Sequence, residues 1–256
     1  MNRRQYLTTV ALGMAALAGC TSNQGGGGGS SEDTVVSTQP QSGSSSTRTE
    51  ETAEPTTETA EQPVVEAVVD STALRELPED LPPTLAATGE VSNTGQVYLN
   101  AVSAVAKFYD ADDQLLTTGT VGVRALAPGE SWEPWVQYHG DREQVDSFEL
   151  AITQALPFNR TVNPSGFAIT NSSLEVPAES GSPRVTGTAK RSGDGDPAAI
   201  LVFPKVYADN GNVLGSGVRS LQQVAAGETI EFDIGIHLWN PEWGSRLTGH
   251  DVVLVR

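Results

Sequence analysis

The acidic cluster Asp110–Asp113 has the chemistry to bind a hard cation, because calcium takes several carboxylate oxygens as ligands. An EF-hand loop that began at Asp110 would need a glutamate at its twelfth position, where the chain has Val121. Asp, Asn and Gly also favour tight turns, since they accept positive φ or cap their own backbone. We therefore interpret this cluster as a hairpin turn, and we interpret the Asp194-Gly195-Asp196 loop in the same way.

The histidines could mark a metal site, because His139 and His237 lie 98 residues apart while His250 has no counterpart. A duplicated site would produce this spacing, and so would the common descent of one strand end. No His-x-x-x-His motif or Glu/His cluster accompanies them. Nucleophile-elbow, P-loop and dinucleotide motifs do not occur either. The sequence thus predicts no catalytic, cofactor-binding or metal-binding residues, and it favours a protein that is not an enzyme.

The tryptophans are the best candidates for contact with a ligand, because exposed tryptophans often mark binding surfaces. Large aromatics also dominate cores, and we expect Trp132 to be a core residue. Trp239 and Trp243 lie beside Asn240 and Pro241 in a segment that the second half of the chain has in addition. For these two tryptophans both interpretations stay open. Two sequons, at Asn159 and Asn171, are candidate glycosylation sites whose occupancy is open.

The first 20 residues have the pattern of an export signal. Arg3 and Arg4 form a twin-arginine pair, and the apolar run Val10–Ala18 that follows is too short to span a bilayer. The run closes with Leu17-Ala18-Gly19-Cys20, which resembles a lipobox whose cysteine takes lipid. We predict a Tat-type lipoprotein signal peptide over residues 1–19 and lipidation of Cys20. The alternative is an ordinary cleavable signal with a chance cysteine.

Composition separates a tether from the rest of the chain. Residues 20–63 are rich in Gly, Ser, Thr and Glu and show no apolar period, so we predict a disordered acidic linker. The formal net charge of the whole chain is −17, with only three lysines. Nucleic acid is excluded as a partner by this balance, since phosphate binding needs a basic face. The acidic, lysine-poor composition resembles that of halophilic proteins.

The remainder of the chain contains an internal repeat. Lys107–Leu116 returns as Lys205–Leu214, and Gly89 and Gly129 return as Gly187 and Gly227, each 98 residues later. Short apolar runs separated by turn residues predict strands, and Pro134 predicts a sheet edge or a bulge. The segment Ala73–Glu79 alone could form a turn of helix. We predict an all-β protein with β-sandwiches at 64–156 and 167–256, joined by a linker at 157–166.

One family resemblance becomes specific in the first repeat. The run Phe108-Tyr109-Asp110 is preceded by Gly-x-Val-x-Asn at Gly89–Asn93 and followed by Leu-Ala-Pro-Gly-Glu at Leu126–Glu130. This pattern resembles the FxLYD domain, a small immunoglobulin-like β domain found in exported lipoproteins, including those of haloarchaea. The second repeat matches more loosely, since Val206 and Ala208 replace Phe and Asp. The resemblance implies two tandem immunoglobulin-like β-sandwiches and carries over no binding or catalytic residues.

The sequence therefore predicts a non-enzymatic protein, anchored to the membrane through lipid on Cys20 and held on the extracellular face of the cell. We expect it to act as a binding or envelope-interaction module, with another cell-surface protein or a glycan as partner. The alternative is an exported enzyme or a solute- or glycan-binding component that uses the tryptophan-bearing segment of the second repeat.

Overall fold

The computed structural model describes residues 63–77, 85–177, 182–239 and 241–256. The predicted signal peptide with Arg3, Arg4 and Cys20 lies outside the described residues, as does the predicted linker up to residue 62. The strands, in chain order, are β1 (Val68–Glu76), β2 (Leu85–Ser92), β3 (Leu99–Tyr109), β4 (Leu115–Val123), β5 (Ser131–Trp132), β6 (Trp135–Tyr138), β7 (Ser147–Pro157), β8 (Phe167–Glu175), β9 (Arg184–Arg191), β10 (Ala198–Ala208), β11 (Val213–Ser216), β12 (Arg219–Val224), β13 (Thr229–Gly235) and β14 (Leu247–Val255).

The predicted fold class is confirmed, because the described residues are nearly all β and their sheets pack in a sandwich-like arrangement. The helical segments among them are two short 3₁₀ turns, Arg142–Gln144 and Pro241–Ser245. No helix in the described ranges is long and apolar enough to cross a membrane. The expected helical turn at Ala73–Glu79 is wrong over Ala73–Glu76, which continues β1 in antiparallel pairing with β2. Cross-strand pairing there outweighs the weak helical propensity of a short segment.

The strands of the two repeats pair in the same pattern. In the first repeat β2 pairs with β1, β5 and β6, and β3 pairs with β4 and β7. In the second repeat β9 pairs with β8 and β13, and β10 pairs with β11, β12 and β14. Pro134 lies in the break between β5 and β6, as a residue without an N–H requires, whereas the equivalent β13 is continuous. The internal repeat of the sequence is thus a repeat of strand pairing.

The closing strands show how much longer the second repeat is. Lys107 on β3 pairs with Glu149 on β7, and the equivalent Lys205 on β10 pairs with Asp251 on β14. The strand offset there is 251 − 149 = 102 residues, four more than the 98 of the other anchors. Matching the first residues of the apolar runs Phe148–Ile152 and Val252–Val255 gives an offset of 104 and predicts about six extra residues, which is wrong because those runs are not in equivalent register.

The two repeats are fused through one sheet. Strand β5 of the first repeat lies parallel to β11 of the second, with Trp132 opposite Val213, so that an eight-stranded sheet includes strands of both. All the described residues belong to one compact unit that runs from Pro63 to Arg256. Between β7 and β8, within the predicted linker at 157–166, Val162 forms a bridge with Val255. The segment between the repeats is therefore packed against the end of the second repeat.

Two glycines that anchor the repeat are explained by a bulge in the neighbouring strand. Pairing of β1 with β2 shifts between Val69 and Ser71, and pairing of β8 with β9 shifts at the equivalent place, between Ile169 and Asn171. A Cβ on Gly89 would lie 2.2 Å from the carbonyl oxygen of Ser71. A Cβ on Gly187 would lie 2.5 Å from the corresponding oxygen of Asn171. Both repeats need glycine here because the bulged carbonyl occupies the space of a side chain.

We expect Gly89→Ala to lower the free energy of unfolding by about 2–3 kcal/mol, because a backbone carbonyl cannot move aside as a side chain could. Urea unfolding followed by tryptophan fluorescence measures this. The matched control is Gly235→Ala, because nothing lies within 4 Å of a Cβ built on that strand residue. The control should leave stability unchanged or slightly raise it. Equal stability of the two variants would contradict the close approach at the bulge.

Candidate functional site

The acidic cluster is a hairpin turn, as the sequence indicates. Oδ1 of Asp110 accepts hydrogen bonds from the backbone N–H groups of Asp112 at 3.0 Å and Gln114 at 2.8 Å. Asp113 has a φ of 59°, and the equivalent Gly211 has a φ of 86°. The carboxylate of Asp110 is thus engaged in holding its own backbone. Within the described ranges, no three His, Cys, Asp or Glu residues are grouped so that they could hold a metal ion.

The histidines have separate surroundings. His139 is exposed just after β6, and His237 is exposed just after β13, where its ring stands edge-on to that of Trp239. His250 lies on β14, where its Nε2 is 2.9 Å from Oγ of Ser172. The spacing of 98 between the first two therefore marks equivalent strand ends of the two repeats.

The structure separates the four tryptophans into core and surface. Trp132, Trp135 and Trp243 are 2%, 6% and 1% exposed, so the expectation of a core residue is confirmed for Trp132. The interpretation of Trp243 as a ligand contact is wrong, because its ring is enclosed by the apolar cluster of the second repeat. Trp239 is 45% exposed and remains the candidate. The sequence could not show which of Trp239 and Trp243 is buried. A 3₁₀ turn decides this, and such a turn has no regular apolar period that could be recognised in the sequence.

Trp239 lies where the two repeats meet. Its ring centroid is 4.4 Å from that of His237, with the planes at 86°. Its backbone carbonyl accepts a hydrogen bond of 2.6 Å from Nε2 of Gln137, which is on β6 of the first repeat. An exposed indole that is held by both repeats offers a rigid apolar contact beside polar groups.

A second candidate surface is an open depression of about 600 Å³ on the outer sheet of the second repeat. Most of its lining residues have polar side chains, among them Asn171, Ser173, Thr186, Thr188, Arg219 and Asp233. Oγ1 of Thr188 donates to Oδ1 of Asn171 at 2.8 Å, so the sequon asparagine is part of this surface. Asn171 and the other sequon asparagine, Asn159, are both exposed.

One exposed ion pair, between Arg184 and Asp233, places charged groups at this surface. The guanidinium of Arg184 hydrogen-bonds both carboxylate oxygens of Asp233 and holds the pKa of that carboxyl below its usual range. Arg219 donates from Nη1 to the backbone carbonyl of Asp233 at 3.3 Å. The arrangement presents hydroxyl, amide and guanidinium groups to a polar ligand. Sequence reasoning missed it because the contributing residues come from β8, β9, β12 and β13.

The most heavily buried charge lies at the junction between the repeats. Lys205 on β10 is fully buried, and its Nζ is 2.7 Å from both carboxylate oxygens of Glu130 in the first repeat. The hydroxyl of Tyr207 donates to Oε1 of Glu130 at 2.8 Å. Burial, followed by the charge of Glu130, raises the pKa of Tyr207 well above its usual value. This cluster therefore holds a cation, an anion and a neutral phenol in fixed contact.

A second ion pair crosses the same junction. Glu133 accepts hydrogen bonds from Arg246 at 2.8 and 3.0 Å, and from the side-chain amides of Asn210 and Asn212. Partial burial alone would raise the pKa of Glu133, but these hydrogen bonds outweigh it and leave that pKa lowered. The pair therefore adds stability above the ordinary pKa of a glutamate, and this contribution is lost as the pH falls through the lower folded-state value.

Both repeats hold their Gly-containing turn with an equivalent buried polar side chain. Asn93 donates from Nδ2 to the carbonyl of Leu126, and Arg191 donates from Nη1 to the equivalent carbonyl of Val224. Arg191 also reaches the carbonyls of Asp194 and Asp196, which explains the acidic loop as a turn around a buried guanidinium. Sequence reasoning could not reveal this shared role, because an arginine in the second repeat replaces the asparagine of the first.

No model of a known protein family matches this chain, and no curated protein matches it at a significant level. The resemblance to the FxLYD domain accordingly rests on the motifs of the first repeat and stays a prediction.

We expect Glu130→Gln to lower the free energy of unfolding by about 3 kcal/mol, because it leaves the buried ammonium of Lys205 with only the more distant and exposed carboxylate of Asp251, at 4.0 Å, as counter-charge. The matched control is Glu228→Gln in the second repeat. Oε2 of Glu228 accepts from the N–H of Ala225 as Oε2 of Glu130 accepts from Ala127, but the described residues place no lysine against it. Chemical denaturation of both variants checks this, and equal losses would show that the ion pair adds nothing beyond the turn.

Proposed function

We propose that the protein is a non-enzymatic, lipid-anchored cell-surface protein that acts as a binding or envelope-interaction module. The observation that carries the proposal is the order of segments along the chain. A twin-arginine signal pattern ends at Cys20, a low-complexity segment follows, and one compact β unit begins at Pro63. We assign the two repeats within that unit as immunoglobulin-like domains of the FxLYD type on the strength of their motifs.

Such an order suits display away from a membrane. Each buried methylene of an anchoring lipid contributes about 0.8 kcal/mol, and two acyl chains are needed for stable attachment. A flexible linker of some 40 residues has a mean reach on the order of 35 Å, at roughly 5–6 Å times the square root of its length. The β unit would thus be held beyond the immediate surface of the bilayer, where it could meet a partner.

The role of the buried ionisable groups favours a binding protein and argues against an enzyme. The ionisable groups at the junction, among them Lys205, Glu130 and Glu133, are each engaged in contacts between the two repeats. A catalytic group needs access to a substrate and a pKa matched to its task. Tyr207, with its pKa raised by burial and by Glu130, would be a poor acid or base. Because these groups hold the two repeats together, they favour a rigid protein that binds partners through its surface.

A glycan or other polar solute is the second candidate partner, in keeping with the alternative of a solute- or glycan-binding component. The exposed ring of Trp239 favours it, because an indole face stacks on sugar rings while nearby amides and imidazoles supply hydrogen bonds. His237 stands edge-on to this ring, and Gln137 donates to the backbone carbonyl of the same residue, Trp239. Trp243 takes no part in this surface, since it is buried.

We expect Cys20→Ser to abolish lipid labelling and to move the protein from the membrane fraction to the medium, because no thiol remains to accept the acyl chains. Fractionation of cells grown with a labelled fatty acid measures both effects. The control is Ser22→Ala, two residues further on, which should stay labelled and bound to the membrane. An unchanged membrane fraction for Cys20→Ser would contradict lipid anchoring.

We expect Trp239→Ala to reduce recovery of partners by about tenfold in affinity capture from the native cell surface, the usual effect of truncating an aromatic hot spot. The matched control is Leu156→Ala, which removes an exposed apolar side chain on β7 of the first repeat. Quantitative comparison of the captured proteins and glycans gives the result. Undiminished capture by Trp239→Ala would remove this tryptophan from the binding surface.

A further inference from the structure

The contact between the two repeats joins two different surfaces. We call the part supplied by the first repeat the turn surface, formed by Glu130, Trp132 and Glu133. We call the part supplied by the second repeat the strand surface, formed by Lys205, Tyr207 and Val213. Lys205 and Tyr207 bind Glu130, and Val213 pairs with Trp132. Because each repeat has both surfaces, the internal contact leaves one strand surface over on the first repeat and one turn surface over on the second.

The unused strand surface is on the first repeat. Lys107, Tyr109 and Leu115 stand at the positions of Lys205, Tyr207 and Val213, 98 residues earlier. The side chain of Lys107 is 45% exposed, and Leu115 is 54% exposed where Val213 is fully buried. Strand β4, which begins at Leu115, pairs only with β3 among the described strands. An exposed leucine on an open sheet edge is therefore left where the internal junction has its apolar contact.

The unused turn surface is on the second repeat. Glu228, Ile230 and Glu231 stand at the positions of Glu130, Trp132 and Glu133. The two turns have the same geometry, since Gly129 and Gly227 have φ values of 77° and 78° and each glutamate accepts from the N–H three residues before it. Strand β13 pairs only with β9 among the described strands, so its other edge is open at Ile230.

We propose that the unused strand surface of one copy of this chain binds the unused turn surface of a second copy, in the way that the two repeats bind each other. Lys107 and Tyr109 would receive Glu228, and Leu115 would pair with Ile230. Because the two surfaces differ, the contact is head-to-tail, and each bound protomer keeps one unused surface for the next copy. Repeated contacts would produce linear chains of protomers with the repeats in continuous alternation.

The contact between copies is weaker than the internal one, because only half of its polar groups are present in both repeats. Asp209 and Asn210, near Glu133 in the internal junction, are replaced by Ala111 and Asp112. Arg246 lies in the longer closing segment of the second repeat, which the first repeat lacks.

The net charge of −17 also makes copies repel one another. Screening at about 1 M salt shortens the Debye length to about 3 Å, so association should appear at high ionic strength.

Disulfide trapping tests this geometry directly, because Cys20 is the only cysteine of the chain. The full chain is prepared as Cys20→Ser with Leu115→Cys and Ile230→Cys together, and is oxidised in 1 M salt. Paired residues of adjacent strands lie about 5 Å apart, within the Cα separation of about 4.4–6.8 Å that a disulfide spans. We expect a ladder of dimers, trimers and longer chains on a non-reducing gel. Each single-cysteine variant can form no product beyond a dimer.

Absence of species larger than the dimer with the double-cysteine chain would overturn the proposal. The second measurement uses Lys107→Glu in the same background, where we expect ladder yield to fall on the order of tenfold because two carboxylates would meet. The matched control is Arg160→Glu, an equal change of charge at an exposed loop residue, which should leave the ladder intact. Equal losses in the two variants would show non-specific association and would also overturn it.

The proposal is independent of lipid anchoring, since the trapped chain has no lipid acceptor. Failure of the Cys20→Ser fractionation would leave the ladder unaffected, and a missing ladder would leave membrane attachment unaffected.

Discussion

The arrangement of the two repeats depends on the contact of Lys205 with Glu130. An ammonium that is completely buried is costly unless a carboxylate matches it closely, and here both oxygens of Glu130 lie 2.7 Å away. The same carboxylate also holds its own turn through the N–H of Ala127. Local turn structure in one repeat and docking of the other are therefore fixed by one side chain. Separation of the repeats would expose the carboxylate and leave the lysine without its partner.

The apolar cores are joined in a corresponding way. Trp132 packs in the core cluster of the first repeat, whereas Trp135, three residues later, packs in the cluster of the second. β5 and β6 keep one register against β2 on the two sides of Pro134, so these two tryptophans, three residues apart, face opposite sides of the sheet and enter different cores. In return, Val213 of the second repeat belongs to the cluster of the first. Each repeat thus completes the core of the other, which explains why one compact unit contains both.

The sequence predicted the all-β class, the repeat and the acidic turn, because each depends on local residue types and their spacing. At Pro134 it predicted a sheet edge or a bulge, and the structure has a short break between β5 and β6 there. The sequence did not predict the shared sheet or the buried charges at the junction. Lys107 and Lys205 occupy equivalent positions of the repeat, each two residues before a tyrosine, yet the first is exposed and the second is buried. Only the docking of the repeats separates them. Trp239 and Trp243 differ for a similar reason, since long-range packing decides which one points inward.

The single parallel pairing between β5 and β11 has a mechanical consequence. A pull that is applied at Pro63 and resisted by a partner on the second repeat is carried by this junction together with the covalent segment between β7 and β8. Along the backbone the load falls on a short segment, where the N–H of Glu133 donates to the carbonyl of Val213 at 3.0 Å. The ion pairs of Glu130 and Glu133 share that load and resist sliding of the strands. Under tension the protein would therefore yield first between its repeats, and each core would then lose the residues that the other repeat supplies.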